Sequence, residues 1–286
     1  SKKLLSLPLI YKVTKKLHRT YCTLTGFLHV LPDFYIIGTQ KGGTSSLYGY
    51  MIDHPSIQPC YSKEPSYFDR YFDRGLDWYK VNFPFKIHRF IVTKILQKKF
   101  ITGEASVRYL DHPHAPQRIK QVTPHAKFII LLRNPIERSY SHYKMISRRH
   151  AESLPFEKVI QEEDRIISLY QKMIDDPSYY SDIYFRHGYL HRGIYVDKIK
   201  HWMEVFPKEQ FLIIQSEEFF REPSKIYNQV LDFLGVENFE LDTYRTYGKV
   251  NKNRKIDSIF YNELSDYFKP HNQRLYEFLG RKFDWE

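Results

Sequence analysis

Three continuously apolar runs, each followed by a polar turn and a segment of helical composition, determine the fold expected for this 286-residue chain. The runs are Phe34–Ile37, Lys127–Leu132, in which the five residues after Lys127 are all apolar, and Phe211–Ile214. Strands that are apolar on both faces are typical of a parallel sheet covered by helices on each side. In such sheets, ligands bind at the carboxyl ends of the strands. The sequence therefore predicts an α/β fold with a central parallel sheet flanked by helices on both faces.

Length and composition indicate one globular domain. Hydrophobic residues make up 42% of the chain and aromatic residues 17%, which is enough for a large core in a chain expected to bury roughly 75% of its unfolded surface. The composition does not shift sharply at any internal position. We expect a single domain over residues 32–286, preceded by a basic extension over residues 1–31.

The net charge and the cysteine content limit the kinds of ligand and site that the chain can have. The formal net charge of +11 favours anionic ligands, and nucleic acid, anionic lipid, nucleotide cofactors and acidic glycans all satisfy it. An RNP, zinc-finger or helix-turn-helix signature is absent, so we expect no nucleic-acid partner. The only cysteines are Cys22 and Cys60, which excludes a disulfide framework and Cys-rich metal sites.

The N-terminal residues bear on location. No run approaches the roughly 20 apolar residues that span a bilayer. The basic segment 2–19 mixes Lys and Arg with Leu, Ile and Tyr, which suits a solvated helix and also peripheral contact with a membrane surface. We expect a cytoplasmic protein, with membrane contact through this segment as one interpretation. A Golgi-lumenal location is the alternative if an N-terminal anchor was removed.

A glycine-rich turn follows the first apolar run. From Gly38 to Ser46 the small residues let the backbone curl around an anion, and N–H groups at the start of the next helix point towards it. The nucleotide triphosphatase pattern G-x-x-x-x-G-K-[ST] is absent, because Lys41 precedes the glycine pair, and neither later strand ends in a magnesium-binding aspartate. The turn therefore predicts a site for a phosphate or sulfate group.

A second polar cluster lies at the end of Lys127–Leu132. Arg133 follows the strand directly, where its guanidinium can make charge-assisted bonds to a phosphate. Pro135 favours the start of a helix, on which Ser141 offers a neutral donor eight residues after Arg133. A structural salt bridge is the alternative role for Arg133.

These motifs resemble those of sulfotransferases that use 3′-phosphoadenosine 5′-phosphosulfate (PAPS), in particular the carbohydrate (heparan-type) branch and related prokaryotic members. Residues 35–47 (YIIGTQKGGTSSL) are similar to that family's 5′-phosphosulfate loop, and residues 128–141 (FIILLRNPIERSYS) to its 3′-phosphate motif. Residues 63–69 (KEPSYFD) and 75–79 (GLDWY) resemble the segment that supplies its catalytic glutamate. The resemblance extends from near Pro32 to the C-terminus.

The resemblance implies a P-loop-like fold, PAPS as co-substrate, adenosine 3′,5′-bisphosphate as product and no metal ion. It implies two catalytic residues: Lys41, which stabilises the leaving phosphate, and Glu64, the base that deprotonates the acceptor. His112 or His114 is the alternative base. Core packing is an alternative role for Tyr195. The implied cofactor-binding residues are Lys41, Gly42, Gly43, Thr44, Ser45, Ser46, Arg133, Ser141, Tyr195, and Lys252, Asn253 and Arg254 in a basic loop that closes over the cofactor.

One departure from the family pattern bears on the acceptor. Heparan-type members usually carry a lysine between the glutamate and serine of the segment that is Gly103–Ser106 here, whereas this chain has Ala105. The missing cation argues against a glycosaminoglycan acceptor. We expect a hydroxyl or amine acceptor, with a carbohydrate as the first choice. The alternatives are a small-molecule or lipid sulfotransferase and a nucleotide-binding protein without catalysis; the sequence predicts no oligomeric state.

Overall fold

A five-stranded, all-parallel sheet forms the centre of the computed structural model, which describes residues 17–18, 20–150, 154–245 and 256–285. The strand order is β2-β3-β1-β4-β5. The predicted parallel sheet of an α/β fold is therefore confirmed. The strands are β1 (Phe34–Gly38), β2 (Ile57–Gln58), β3 (Ile101–Glu104), β4 (Lys127–Leu132) and β5 (Phe211–Gln215).

Helices connect the strands and surround the sheet. Residues 20–25 are helical, and a π-helical turn, Ile91–Ile95, directly follows the helix Lys86–Phe90. The α-helices of the described residues are α1 (Thr44–Ile52), α2 (Leu76–Lys80), α3 (Lys86–Phe90), α4 (Ala115–Val122), α5 (Pro135–His150), α6 (Phe156–Val159), α7 (Glu163–Asp175), α8 (Asp182–His187), α9 (Tyr195–Val205), α10 (Ser216–Arg221), α11 (Pro223–Leu234) and α12 (Ser258–Leu279). The 3-10 turns are Gly26–Leu28, Phe72–Arg74, Tyr109–Asp111, Ile160–Glu162, His191–Gly193 and Lys208–Gln210.

Consecutive residues of the central strands alternate between two hydrophobic clusters, one on each face of the sheet. Tyr35 and Ile37 of β1 belong to a cluster that includes side chains of α4 and α9. Phe34 and Ile36 belong to a cluster that includes side chains of α1 and α11. All four side chains are buried, so each contributes roughly 1.5–3 kcal/mol of burial free energy. Helices thus cover both faces, as the continuously apolar strands predict.

The two edges of the sheet differ in what they carry. At the carboxyl edge, α1, α5 and α10 begin close after β1, β4 and β5, so three turns meet there. At the amino edge the chain enters from the N-terminal residues, where the Val30 N–H donates to the Pro84 carbonyl at 2.9 Å. None of the helices in the described residues is both long and apolar enough to cross a bilayer.

Candidate active site

The glycine-rich turn lies between β1 and α1 and is bonded to the ends of its neighbours. The Thr39 N–H and hydroxyl both donate to the Leu131 carbonyl of β4, at 2.9 and 2.8 Å. The Ser216 hydroxyl, at the start of α10, donates to the Gly42 carbonyl at 2.8 Å. A Cβ at Gly42 would lie 2.7 Å from the Leu131 carbonyl oxygen, so a larger residue does not fit. These contacts hold the turn in one conformation.

The backbone of the turn directs Lys41 and the start of α1. Lys41 and Gly43 both have left-handed φ angles, of 74° and 100°. That conformation is uncommon for a residue with a Cβ, so the surrounding contacts must hold Lys41 in it. Of the three hydroxyl residues that open α1, Thr44 and Ser46 are buried and Ser45 is exposed. Ser45 is therefore the hydroxyl that faces outward at this edge of the sheet.

Lys41 lies within a group of positive charges. Burial lowers the pKa of Lys41 to about 8, and the charges of Arg133, Arg148, Arg149 and Lys144 act in the same direction. Like charges repel one another, so an anion that lies among them is bound favourably. The arrangement, together with the tight turn at the helix start, fits a ligand that carries several negative charges.

Arg133 is held at the end of β4. Its guanidinium donates to the Lys41 carbonyl at 3.3 Å and pairs with the Glu137 carboxylate at 3.4 Å. The Tyr195 hydroxyl donates to the Arg133 carbonyl at 2.8 Å, and its ring packs in the core. Ser141 is buried on α5, the helix that follows Arg133. Tyr195 therefore supports the main chain of Arg133, whereas its contact with a nucleotide stays a prediction.

Glu64 is connected to the glycine-rich turn by its neighbour Lys63. The Lys63 ammonium donates to the Ser45 hydroxyl at 2.8 Å and to the Glu64 carboxylate at 3.0 Å. The Glu64 side chain is 43% exposed, so an acceptor from solvent can reach it. The structure thus brings the predicted base to the same edge of the sheet as the predicted anion loop. Lys63 itself was not among the predicted site residues.

The segment that carries Glu64 is anchored to the end of β3. The Ala105 N–H donates to the Lys63 carbonyl at 2.9 Å, and the Tyr67 N–H donates to the Tyr109 hydroxyl at 3.0 Å. Ala105 is fully buried. The Tyr109 hydroxyl in turn donates to the Glu104 carboxylate at 3.3 Å. Main-chain contacts on both sides therefore fix where Glu64 lies.

Glu104, at the end of β3, is fully buried. The Tyr79 and Ser106 hydroxyls donate to its two carboxylate oxygens, each at 2.5 Å. Burial raises the pKa of Glu104 to about 8, although these hydrogen bonds act in the opposite direction. Because the carboxyl group is enclosed by hydroxyl groups, Glu104 acts as an anchor for the segment of Glu64, and no contact with solvent is available to it.

A buried charge cluster holds the other side of the turn. The Arg192 guanidinium pairs with the Asp111 carboxylate at 2.9 Å and donates to the Gln40 side-chain oxygen at 2.7 Å. Lys198 pairs with the same carboxylate at 3.4 Å. Burial would raise the pKa of Asp111, but the charges of Arg192 and Lys198 outweigh it and the pKa is lowered. Burial lowers the pKa of Lys198 to about 8.

The two alternative bases are engaged inside the protein. His112 is buried, and its Nδ1 accepts the His114 N–H at 3.3 Å. Burial lowers the pKa of His112 well below its usual range. The His114 Nε2 lies 2.8 Å from the Met173 carbonyl.

The basic loop of Lys252, Asn253 and Arg254 lies outside the described residues. No cluster of three or more metal-ligating side chains occurs within the residues described.

Comparison with known proteins shows to which family the chain belongs. The sequence profile described as "Sulfotransferase domain" matches residues 31–255. The chain belongs to the sulfotransferase family. It is an enzyme of the PAPS-dependent sulfotransferase class, which confirms the resemblance in the sequence.

Curated relatives and one solved structure are similar over most of the enzyme. "Membrane-associated sulfotransferase kil1" of Dictyostelium discoideum is 28% identical, over 97% of this chain and 71% of that protein. Human "Heparan sulfate glucosamine 3-O-sulfotransferase 6" is 27% identical, over 89% and 73%. Human "Bifunctional heparan sulfate N-deacetylase/N-sulfotransferase 3" is 30% identical, over 88% of this chain but only 30% of that protein. The crystal structure of a sulfotransferase from Alicyclobacillus acidocaldarius has a TM-score of 0.64 and 28% identity, over 89% and 98%.

Several residues at the edge of the site were not predicted. Lys144, Arg148 and Arg149 all lie on α5 and affect the pKa of Lys41. A signal existed in the sequence, because these cations follow Ser141 by three, seven and eight residues, which is the spacing of one helix face. Asp111, Arg192 and Gln40 are far apart in the chain and carry no such signal.

Replacing Arg133 by alanine is expected to weaken binding of adenosine 3′,5′-bisphosphate to the enzyme. A phosphate group would lose a charge-assisted partner worth roughly 1.5–3 kcal/mol, which titration calorimetry can measure. Arg165→Ala is the matched control, because Arg165 pairs with Glu162 at the same distance of 3.4 Å but on α7. Equal affinities of the wild type and Arg133→Ala for this nucleotide would show that Arg133 does not bind it.

Lys41 should make this binding depend on pH. Its pKa of about 8 means that Lys41 is mostly charged below that pH and loses its charge above it. Since an anion binds better to the charged form, the dissociation constant should rise as the pH increases from about 7 to about 10. A Lys41→Arg variant stays protonated over this range and should show little change. An equally flat profile for the wild type would contradict the role of Lys41.

Proposed function

We propose that the enzyme transfers a sulfuryl group from PAPS to a hydroxyl or amine acceptor, with a carbohydrate as the expected acceptor class and Glu64 as the general base. One observation carries the proposal. Lys63 bonds both the Glu64 carboxylate and Ser45 at the start of α1, which supports assigning the proposed base and the anion loop to one site. A protein that only bound a nucleotide would have no need of an exposed carboxylate there.

The proposed reaction is a single in-line displacement. The acceptor oxygen or nitrogen forms a bond to sulfur while the bond between sulfur and the 5′-phosphate oxygen breaks. The electron pair of the broken bond stays on the phosphate oxygen, and the proton of the acceptor goes to the Glu64 carboxylate. Lys41 and the N–H groups at the start of α1 stabilise the charge that develops on that oxygen. The step balances without an oxidant, a reductant or a metal ion.

The proposed donor site divides into two parts. Lys41, Gly42, Gly43, Thr44, Ser45 and Ser46 would hold the phosphosulfate group. Arg133 and Ser141 would bind the 3′-phosphate, with Tyr195 supporting Arg133 through its carbonyl. Lys252, Asn253 and Arg254 are proposed to close over the nucleotide. The cation group around Lys41 supports this assignment, because positive charges on several side chains favour an anionic ligand.

Glu64 is preferred over the histidines as the base because of its accessibility. Its side chain is partly exposed beside the anion loop. His112 is buried with its Nδ1 bonded, and a ring nitrogen of His114 contacts the Met173 carbonyl. A base must come within hydrogen-bond reach of the acceptor proton, which favours the partly exposed Glu64 over the buried His112.

The acceptor class rests on the relatives. Two of them are named for heparan sulfate, which supports a glycan acceptor. Ala105, in place of the lysine of heparan-type members, supports a glycan other than a glycosaminoglycan. A small-molecule or lipid acceptor is the second candidate.

We also propose that residues 32–286 form the catalytic domain. The proposed location is cytoplasmic, with the Golgi lumen as the alternative. The name of the membrane-associated relative supports activity at a membrane surface.

A transfer assay with radiolabelled PAPS tests the proposed function. The acceptor panel contains sulfated and unsulfated heparan oligosaccharides, neutral glycans, glycolipids and simple alcohols and amines. We expect label in a glycan product and the same rate after addition of EDTA. Binding of the nucleotide with no transfer to any acceptor would favour a non-catalytic binder. Loss of transfer with EDTA would contradict a metal-free mechanism.

A further inference from the structure

One helical segment has its apolar side facing solvent. It consists of α3, the π-helical turn Ile91–Ile95 that extends it, and Leu96. On its inner side the Arg89 guanidinium pairs with Asp33 at 2.5 Å and lies over the ring of Phe100. A surface helix normally places its apolar stripe on the core. The outward apolar side chains, between 40% and 63% exposed, are Ile87, Phe90, Ile91, Ile95 and Leu96.

A second exposed apolar segment begins beside the first. His29 and Phe85 form an antiparallel bridge, and their rings are 4.1 Å apart. Residues that precede His29 and residues that follow Phe85 therefore leave the same backbone pair. The residues just before His29 are also apolar and exposed: Leu24, Phe27 and Leu28. We call the two sets together the α3 surface.

Positive charge predominates around the α3 surface, although Asp77 lies against Gly26 in its second segment. Between Asp77 and Glu104 the sequence contains no acidic residue. Four lysines in this interval are exposed: Lys86, Lys94, Lys98 and Lys99. Large exposed apolar side chains next to lysines fit the interface of a bilayer, where the apolar groups enter the acyl boundary and the lysines meet anionic headgroups. A second copy of this chain would bring the same cations together, which is unfavourable.

We propose that the α3 surface docks the protein on an anionic lipid bilayer. The surface lies by Asp33, which precedes β1, whereas Lys41 follows the other end of that strand. Docking in this way leaves the carboxyl edge of the sheet, with Glu64 and Arg133, facing the aqueous phase. The contact is separate from that expected of the basic segment 2–19, and it does not depend on the acceptor.

Vesicle binding of the full chain tests the proposal. Vesicles of phosphatidylcholine alone are compared with vesicles that also contain phosphatidylserine. An Ile87→Ser/Ile95→Ser double variant should bind the anionic vesicles roughly a hundredfold more weakly, about tenfold for each isoleucine removed from the bilayer. A Lys94→Gln/Lys98→Gln variant should lose about fivefold for each charge and lose the preference for phosphatidylserine. The control is Ile259→Ser, because Ile259 on α12 is 71% exposed, whereas Ile87 and Ile95 are 62% and 63% exposed.

The outcomes separate the possible occupants of the surface. All variants should keep the wild-type affinity for adenosine 3′,5′-bisphosphate, which shows that they fold. The proposal is overturned if the wild type does not bind anionic vesicles. It is also overturned if the isoleucine double variant binds them as tightly as the wild type does, a result that would assign membrane contact to another part of the chain, such as residues 2–19. Vesicle binding only after deletion of residues 1–16 would overturn the proposal in favour of those residues as the occupant. A dimer that the isoleucine double variant dissociates would overturn it in favour of a second copy of the chain.

Discussion

Replacing Glu64 by glutamine is expected to lower turnover by a factor on the order of 10²–10⁴. The change keeps the side-chain volume and an oxygen that Lys63 can still bond, but it removes the carboxylate that accepts the acceptor proton. Affinity for adenosine 3′,5′-bisphosphate should stay near that of the wild type, because Lys41 and Arg133 are unchanged. Chemistry and binding should therefore separate in this variant.

Steady-state rates, titration calorimetry and thermal melting together distinguish a base from a structural residue. Glu222→Gln is the matched control, because the Glu222 side chain is 42% exposed and paired with Lys225, as Glu64 is 43% exposed and paired with Lys63. If Glu64 only stabilises the fold, melting temperature, affinity and turnover should fall together. A variant with normal melting, binding and turnover would show that Glu64 is not the base. His112 and His114 would then be tested.

Replacing Asp111 by asparagine is expected to destabilise the protein by about 3–5 kcal/mol. Asp111 is the shared carboxylate of buried Arg192 and buried Lys198, so its loss leaves two positive charges without their counter-charge in the interior. The total stability of a domain is about 5–15 kcal/mol, so the loss is a large fraction of it. Because Arg192 also bonds Gln40 of the glycine-rich turn, nucleotide binding should weaken as well.

Denaturant unfolding measures this effect, and the chain offers a matched control. Asp197→Asn removes the same charge from an ion pair with Arg274 on the surface, where both side chains are about half exposed. Surface pairs of this kind contribute about 0–1 kcal/mol, so this variant should unfold near the wild-type midpoint. An Asp111→Asn variant as stable as Asp197→Asn would mean that the buried cations do not depend on Asp111.

Part of the sheet could be predicted because its strands are apolar on both faces. β1, β4 and β5 each appear as a continuous apolar run in the sequence. β3 could not be found in this way, since Thr102, Gly103 and Glu104 interrupt any apolar pattern. Glu104 tolerates burial because hydroxyl groups such as that of Tyr79, 25 residues earlier in the chain, bond its carboxylate. Such compensation depends on the fold and leaves no local signal.

Some site residues could likewise be predicted from the strand pattern, whereas the roles of others depend on contacts made only in the fold. Arg133 directly follows β4 and Lys41 lies three residues after the end of β1, so the strand pattern alone brings them to one edge of the sheet. Lys63 acts through Ser45, which lies 18 residues before it, and that contact exists only after β1 and β3 have paired. The role of Tyr195 at the Arg133 carbonyl likewise depends on how α9 packs on the sheet.

Titration calorimetry of the wild type with two nucleotides tests the central claim most directly, because it needs no knowledge of the acceptor. Adenosine 3′,5′-bisphosphate carries the 3′-phosphate that Arg133 is proposed to bind, and adenosine 5′-monophosphate lacks it. A charge-assisted contact of roughly 1.5–3 kcal/mol predicts that the bisphosphate binds about 10- to 150-fold more tightly. Equal affinities for the two nucleotides, or no saturable binding of the bisphosphate, would contradict the account.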